Sequence, residues 1–248
     1  MLQYIDGNSI SYIDQSGKTI FNKKFDYKHD YQSNNRGLNE AQRFLIGDYH
    51  FNEGLACGRI NDKYGCIDYS GKIVVPAQYD YLGRFSEGLV TVMTEEATKN
   101  GIYRKWGYLN KNNQMAIPPQ FEIANAFSEG LAVVSVPSEV KVKYIDKNGK
   151  IIINAPFDQK TDCGSSDFYG GLASGRFDNK NCGFIDKSGS VVISPQYKQA
   201  FNFGNGIVFV LSGDQLSKDQ AILKQNYIDK NGKTIYTEET KLDIPVRK

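Results

Sequence analysis

Histidine is nearly absent from this sequence, because His29 and His50 are the two histidines among 248 residues. A Ser-His-Asp or Cys-His catalytic site would have to use one of them. Neither lies beside a nucleophile elbow or at metal-ligand spacing. A phosphate-cradling Gly-x-x-x-x-Gly-Lys loop is missing as well. The sequence therefore predicts a protein that is not an enzyme and binds no cofactor, with both histidines at the surface.

Long apolar runs and an excess of one charge are missing too. No stretch of about 18 apolar residues occurs, so we expect no membrane insertion. Thirty basic and 28 acidic residues leave a net charge of +2, which argues against a nucleic-acid partner. Residues 1–6 lack the basic start and apolar stretch of a secretory signal. We expect a cytoplasmic protein, with a signal removed upstream of this chain as the alternative.

Cysteine is scarce, and the four residues Cys57, Cys66, Cys163 and Cys182 show no Cys-x-x-Cys spacing. That spacing is typical of zinc sites, so no metal is expected. A two-residue turn at Asn61-Asp62 would place Cys57 opposite Cys66 across a hairpin. For this cross-strand pair, two reduced thiols in a cytoplasmic chain are favoured over a disulfide, which stays as the alternative.

Glycine is plentiful, and many of its 24 residues mark a repeat. One phrase starts with an aromatic residue or Cys, continues with Ile or Leu and then Asp or Asn, and ends near Gly-Lys. It occupies residues 12–18, 66–72, 108–114, 144–150, 184–190 and 227–233. The phrase predicts a type I turn, capped by Asp or Asn, that needs positive φ at its sixth residue. These structural turn residues are Gly17, Gly71, Asn113, Gly149, Gly189 and Gly232. A calcium loop is not expected, because spaced carboxylates and a late Glu are missing.

Two further phrases accompany the first. A Phe-x-Glu-Gly-Leu phrase lies upstream at residues 51–55, 85–89 and 127–131, with weaker copies at 168–172 and 203–207. A proline-containing phrase follows at residues 74–80, 117–122, 154–158 and 193–197. Glu53, Glu87 and Glu129 recur at equivalent places. A catalytic carboxylate is needed once, so we interpret these glutamates as repeated backbone or turn contacts.

The three phrases resemble the WG repeat family of bacterial proteins over nearly the whole chain, from about Leu2 to Ile235. The name-giving dipeptide is intact as Trp106-Gly107. The corresponding pairs elsewhere are Tyr64-Gly65, Cys182-Gly183, Val142-Lys143 and Gln225-Asn226. The resemblance implies tandem repeats in an interaction protein, and some members of the family are immunity proteins of bacterial toxin systems.

The repeat predicts an all-β fold built from about six tandem, three-stranded antiparallel meanders, closed as a propeller-like ring or left as an open β superhelix. β-Branched runs such as residues 131–136 supply the strands. Pro156 is expected to end its strand, because it cannot donate to a ladder. We predict a single domain over residues 1–248, with a long connection at 22–50. The approximate repeats are 1–21, 51–80, 85–122, 127–158, 168–197 and 203–236.

Segments that depart from the repeat are the candidate partner-binding regions, because repeat proteins place insertions where partners bind. They are residues 22–50, 94–105 and 212–224. Aromatic residues and Arg often carry interface energy. The candidates are Tyr31, Tyr49, Tyr103, Arg104 and Trp106, and for Trp106 packing in the core is the favoured alternative.

Three functions remain open from the sequence. A non-enzymatic protein-binding module is favoured, with an immunity-type protein that binds and neutralises a cognate toxin as its most specific version. An envelope or glycan-binding repeat protein is the first alternative, since the tyrosines could stack on sugars. An enzyme with a site at the centre of a β ring is the second. It would require clustered, non-repeated polar residues, and the sequence shows none.

Overall fold

The structure is a computed structural model that describes residues 2–6, 9–13, 16, 18–24, 51–60, 63–99, 101–158, 163–177, 180–215 and 220–243. Within these ranges every regular element is a β-strand and every strand pairing is antiparallel. The prediction of an all-β chain of repeated meanders is confirmed. The chain divides into two compact units, Met1–Gln120 and Phe121–Lys248.

The first unit contains three sheets. One is the sheet β1 (Leu2–Asp6), β2 (Ser9–Ile13) and β3 (Thr19–Lys24). The next is β4 (Phe51–Asn52), β5 (Leu55–Ile60), β6 (Lys63–Asp68) and β7 (Ile73–Tyr79). The third is β8 (Tyr81–Leu82), β9 (Leu89–Thr98), β10 (Gly101–Asn110) and β11 (Met115–Phe121). In each sheet, strands adjacent in sequence are also adjacent in space.

The second unit contains two sheets. The larger is β12 (Ile123–Ala124), β13 (Ala132–Ser135), β14 (Lys141–Ile145), β15 (Ile151–Asp158), β16 (Leu172–Phe177), β17 (Asn181–Asp186) and β18 (Val191–Tyr197). It joins two repeats through one residue pair, Phe157 with Phe177. The smaller is β19 (Gln199–Ala200), β20 (Ile207–Gln215), β21 (Gln220–Asp229) and β22 (Thr234–Asp243).

Most repeats carry a short strand in addition to the predicted three. The two-residue strands β8, β12 and β19 each pair with the strand that opens the central hairpin of their repeat. They lie just after the proline-containing phrase. A two-residue strand has no periodicity to detect, which is why the sequence pattern gave no sign of it.

The turn phrase folds in the same way at every described copy. Asp68 Oδ1 accepts hydrogen bonds from the amides of Ser70 and Lys72, at 2.8 and 3.1 Å. Asn110, Asp146, Asp186 and Asp229 make the same pair of bonds. The sixth residue has positive φ, between 59° and 84°, at Gly71, Asn113, Gly149, Gly189 and Gly232. The cap satisfies two amides within each turn. Gly17 lies outside the described residues.

The glycine of the name-giving dipeptide lies close against the backbone of the proline-containing strand. A Cβ added at Gly107 would lie 2.5 Å from the Ile117 carbonyl oxygen and 2.7 Å from Pro119 N. Gly65 and Gly183 face the same backbone position, with added Cβ atoms at 2.7 and 2.8 Å from the nearest carbonyl oxygen. These glycines are therefore required by close backbone approach.

The two repeats without this glycine pair differently. Lys143 pairs directly with Asn154, and the register shift moves on to the stretch between Lys141 and Lys143. Asn226 pairs with Thr237 in a ladder that stays regular from Gln220 to Tyr227. A residue with a side chain at this position thus pairs directly with the neighbouring strand and does not lie inside a register shift.

The prediction that Pro156 ends its strand is wrong, because β15 continues through it to Asp158. The ladder register shifts beside Pro156, between Lys141 and Lys143 of the partner strand. Proline lacks an amide hydrogen, and a bulge is a place in a sheet that tolerates this loss. The Pro156 carbonyl oxygen accepts a hydrogen bond from Lys141 Nζ at 2.9 Å.

The hydrophobic core consists of clusters between successive repeats. In the first unit, Cys57, Cys66 and Val75 of one sheet pack with residues of the next, including Val90, Val92 and Leu109. Two clusters in the second unit also combine residues of one repeat with residues of the next. One joins Val133, Tyr144 and Ile153 to Ala173 and Ile185, and the other joins Phe184 and Ile193 to Val208, Val210 and Ile228. Each repeat is therefore stabilised by its neighbour in sequence.

Both cysteine pairs are bonded. Cys57 lies opposite Cys66 in the register that the sequence predicted. The favoured pair of reduced thiols is nevertheless replaced by a Cys57–Cys66 disulfide, and a second disulfide joins Cys163 to Cys182. The sequence could not foresee the second bond, because Cys163 lies in the segment before β16, where the other repeats have their short strand.

Candidate functional site

The Glu-Gly pairs form tight turns that hold both residues at positive φ. Glu53 and Glu129 have φ of 51° and 53°, and the following Gly54 and Gly130 have 89° and 87°. Two residues of positive φ make the type I′ turn that suits a twisted hairpin. Glutamate is a poor residue for this conformation, which costs about 1–2 kcal/mol for a side chain with a Cβ. Its side chain must therefore have a compensating contact.

That contact reaches into the following repeat. Glu53 Oε2 accepts a hydrogen bond from the Gly88 amide at 2.9 Å and pairs with Lys111 Nζ at 3.1 Å. Lys111 Nζ also donates to the Glu53 carbonyl oxygen at 2.9 Å. Gly88 belongs to the equivalent Glu-Gly turn of the next repeat. Lys111 belongs to the turn of that repeat which Asn110 caps, and we call each turn capped by Asp or Asn an Asx-type turn. We call this three-way contact the repeat clamp.

The same clamp recurs in the second unit. Glu129 Oε2 accepts from the Gly171 amide at 3.0 Å and pairs with Lys187 Nζ at 3.1 Å. Lys187 Nζ donates to the Glu129 carbonyl oxygen at 2.9 Å. The repeated glutamates Glu53 and Glu129 thus make backbone contacts, and the amides they bind belong to the following repeat. The sequence of one repeat does not reveal which residues of another repeat it contacts.

The repeat clamp is different at the fifth repeat, where the Phe-x-Glu-Gly-Leu phrase has lost its glutamate. Gly170 stands where other repeats have Glu, with φ of 61°. A Cβ there would lie 3.2 Å from Cε of Lys230, a lysine of the next Asx-type turn. The lysine side chain therefore lies against the turn without a carboxylate from residue 170.

Acid is expected to weaken the clamps. Partial burial acts to raise the pKa of Glu129, but the bonds from Lys187 and the Gly171 amide outweigh it, so the pKa lies below its ordinary value. The pKa of Glu53 is lowered in the same way by Lys111 and Gly88, against partial burial. A carboxyl with a lowered pKa stabilises the fold above its unfolded pKa, and this is lost as pH falls through the folded value.

Glu53→Gln/Glu129→Gln is therefore expected to lose less stability than the parent when pH falls from about 6 to 3. Thermal unfolding followed by circular dichroism at each pH measures this difference. Acid also titrates the capping Asp68, Asp146 and Asp186, but equally in both proteins. Glu96→Gln, on an exposed hairpin, controls for the removal of a charge. Parallel pH profiles for parent and double variant would rule out the clamp as an acid-sensitive contact.

The second insertion, residues 94–105, forms the outer half of the β9–β10 hairpin. Its ladder is complete from Asn110 opposite Leu89 to Gly101 opposite Thr98. Ile102 and Tyr103 are 62% and 41% exposed. Tyr103 has Lys105 Nζ 5.5 Å from its ring centre, while Arg104 Nε pairs with Glu95 at 2.7 Å. We call residues 94–105 the hairpin arm.

The three candidate residues that the structure describes, Tyr103, Arg104 and Trp106, do not form one cluster. Successive strand residues point to opposite faces, so Tyr103 and Arg104 lie on opposite faces of the arm. Trp106 is partly buried and packs edge-on to Tyr81, with ring centres 5.3 Å apart. Tyr81 also lies 5.0 Å from Tyr64, the residue in the equivalent place of the preceding repeat. Tyr31 and Tyr49 lie outside the described residues.

A polar network around residues 163–168 was not foreseen. Asn125 Nδ2 donates to Asp167 Oδ1 at 3.0 Å, and Asn202 Nδ2 donates to Ser165 Oγ at 3.0 Å. Burial raises the pKa of Asp167, and bonds from Asn125 and Ser165 oppose the rise in part. The sequence Cys-Gly-Ser-Ser-Asp replaces the short strand here, and this departure from the repeat was the available signal. The network joins three successive repeats and is structural.

Within the described ranges, no group of three or more His, Cys, Asp or Glu side chains is placed to hold a metal ion. Nor does that part of the chain contain a helix long and apolar enough to cross a membrane.

Comparison with known proteins identifies the repeat. Residues 64–96, 106–136 and 183–214 match a family model described as WG containing repeat. No curated protein matches the chain. A crystal structure of a protein of unknown function from Bacteroides caccae is similar at 13% identity and a TM-score of 0.26, covering 94% of this chain and 90% of that chain. A crystal structure described as the eukaryotic initiation factor is similar at 9% identity and a TM-score of 0.25, covering 80% and 88%. Likenesses this weak carry no information on function.

Proposed function

Since this chain carries WG-containing repeats, we propose that it is a non-enzymatic protein-binding module of the immunity type, which binds and neutralises a bacterial toxin. The observation that supports protein binding is the hairpin arm, which presents exposed apolar side chains on an ordered ladder. The toxin as partner rests on the family resemblance.

The arm has the physical properties of a binding element. Exposed Ile102 and Tyr103 offer apolar and aromatic area on opposite faces of the arm, and aromatic anchors commonly dominate binding energy. The complete β9–β10 ladder fixes the backbone before a partner arrives, which lowers the entropy cost of binding. Glu95 and Arg104 flank Ile102 on one face, and Glu96 and Lys105 flank Tyr103 on the other, so each anchor has charges of both signs beside it, as in the polar rim of an interface.

Ile102→Ala/Tyr103→Ala is expected to weaken partner binding about 30-fold or more, as loss of an aromatic hot spot of about 2 kcal/mol would. The assay co-expresses the chain with the product of the gene immediately upstream of it in the host, which the immunity role requires to be a toxin, and measures affinity by calorimetry and growth by colony counts. Ile73→Ala/Met115→Ala removes similarly exposed apolar area elsewhere in the same unit and serves as the matched control. Equal affinity of both double variants would exclude the arm, and failure to restore growth would exclude the immunity role.

A protein of the cell envelope is the second candidate. The two disulfides support it, because such bonds persist in oxidising compartments and are rare in the cytoplasm. Cell fractionation with alkylation of free thiols before lysis tests it. Recovery of the chain in the cytoplasm with alkylated cysteines would contradict this candidate.

A further inference from the structure

One residue row recurs on the same face of each repeat sheet. In each repeat the row consists of three residues that are direct neighbours on three adjacent strands. The first of them is the third residue after Glu-Gly or its equivalent. The rows within the two units are Cys57–Cys66–Val75, Val133–Tyr144–Ile153 and Ser174–Phe184–Ile193. All of these residues are buried. We call this set the forward row.

The following repeat buries the forward row. Phe168 lies 4.9 Å from Tyr144, and Phe203 lies 5.2 Å from Phe184, measured between ring centres. In both cases the phenylalanine opens the next Glu-Gly phrase or its equivalent. The clusters described above show the apolar strand residues of the next sheet packing beside it. The forward row is thus the interface through which one repeat stacks on another.

The forward row of the last sheet has a different environment. It consists of Phe209, Tyr227 and Tyr236, which lie side by side on β20, β21 and β22. Tyr227 and Tyr236 are 44% and 56% exposed, where the inner rows are buried. Phe201, 47% exposed, extends the row. The ring centres follow one another at 5.5, 5.3 and 6.2 Å, from Phe201 just after β19 to the three strands β20, β21 and β22.

The composition of this face is unlike that of a solvated sheet face. A sheet face in contact with water normally carries polar side chains. Here a continuous aromatic row lies exposed, and beside it Leu211, Gln225 and Glu238 form the next row of the same face. An exposed patch of this kind marks an interaction site.

We propose that this aromatic face binds a second copy of this chain, last repeat to last repeat about a two-fold axis. The face continues an interface already used between repeats, and there the occupant is always a β-sheet of the same type. An uncharged aromatic row can pair with itself after a two-fold rotation, since each ring meets a ring. The two-fold arrangement also closes the assembly, leaving no aromatic row exposed at this end. The proposal does not depend on the proposed immunity function.

Sedimentation velocity of the full chain over a range of about 1–100 μM tests the proposal. We expect a monomer–dimer equilibrium, and Tyr227→Lys/Tyr236→Lys weakens the dimer at least about 100-fold, because two lysines from each copy would meet in the interface. Val140→Lys/Ile152→Lys adds the same charge at similarly exposed apolar positions and is expected to leave the dimer unchanged. Circular dichroism checks that both variants fold.

Photo-crosslinking from residue 209 gives an independent reading. A crosslinker at Phe209 is expected to join residues 199–243 of one copy to the same range of the other, which mass spectrometry of mixed isotopes identifies. A parent that stays monomeric at 100 μM overturns the proposal. So does a dimer that the tyrosine variant leaves intact, or binding of cellohexaose to the face of a monomeric parent.

Discussion

Replacement of Gly107 with alanine is expected to lower the free energy of unfolding by about 3 kcal/mol, the upper range for overpacking a rigid site. The added Cβ would lie 2.5 Å from the Ile117 carbonyl oxygen, 2.7 Å from Pro119 N and 2.8 Å from the Pro118 carbonyl carbon. All three atoms are backbone, so no side-chain rotation relieves the overlap. Thermal unfolding should shift down by roughly 6–12 °C for a chain of this size.

Gly204→Ala is the matched control for this substitution. An added Cβ at Gly204 meets no atom within 4 Å, and Gly204 is not among the residues with positive φ. Ser86, Ser128 and Tyr169 hold the equivalent place in other repeats, each bridged to a residue three positions later as Gly204 is. Its unfolding temperature should remain within about 2 °C of the parent. Equal shifts for Gly107→Ala and Gly204→Ala would contradict the close-approach account of the repeat glycine.

Reduction of the two disulfides is expected to destabilise the chain by about 5–6 kcal/mol in total. Chain-entropy arguments assign about 2.5 kcal/mol to the Cys57–Cys66 bond, with a separation of 9, and about 3 kcal/mol to the Cys163–Cys182 bond, with a separation of 19. Their sum is comparable to the whole stability of an ordinary domain. Urea unfolding with and without a phosphine reductant measures it.

Thiol counting gives the control. The oxidised chain should present no free thiol in denaturant, and the reduced chain should present four, one per cysteine. Cys57→Ala/Cys66→Ala and Cys163→Ala/Cys182→Ala separate the two bonds, and the second pair should be the more damaging because it closes the longer loop. Four reactive thiols in the purified chain, with unchanged urea midpoint on reduction, would show that the cysteines are reduced as the sequence suggested.

The redox state of the cysteines bears on the cellular compartment in which the protein functions. A cytoplasmic setting was expected from the N-terminal residues, and the reduced thiols were expected from that setting. Two buried bonds, each inside an inter-repeat cluster, are the observation behind the proposed cell-envelope candidate. The geometry of Cys57 opposite Cys66 was predictable from the hairpin register, while the redox state depended on an assumption about location.

Local chemistry explains what the sequence could predict. The Asp-x-x-Gly turns depend on contacts within five residues, so the capping by Asp146 and the positive φ of Gly149 could be read from one phrase. The Cys57–Cys66 register followed from the length of one turn. Asn113 fits the same rule, because asparagine tolerates positive φ better than other side chains.

Contacts between repeats could not be predicted from such local sequence patterns. The bond from the Gly171 amide to Glu129 spans 42 residues, and no pattern within one repeat specifies its partner. The reason for Gly107 could not be predicted either, because the backbone atoms that exclude its Cβ lie on the neighbouring strand. For the candidate site, composition singled out Tyr103 and Arg104 as an aromatic residue and an arginine, and the strand register places them on opposite faces of the arm.

The proline-containing strands have a consequence for aggregation. β7, β11 and β18 are edge strands, and each carries proline at a place where the ladder is interrupted or lacks a donor. Such an edge is a poor template for a strand from another molecule. β22 is also an edge strand, with neither proline nor an interruption beyond Tyr236, but it carries Glu238, Glu239 and Lys241. The charges there act as gatekeepers against fibril growth, in a strand whose other half is apolar and aromatic.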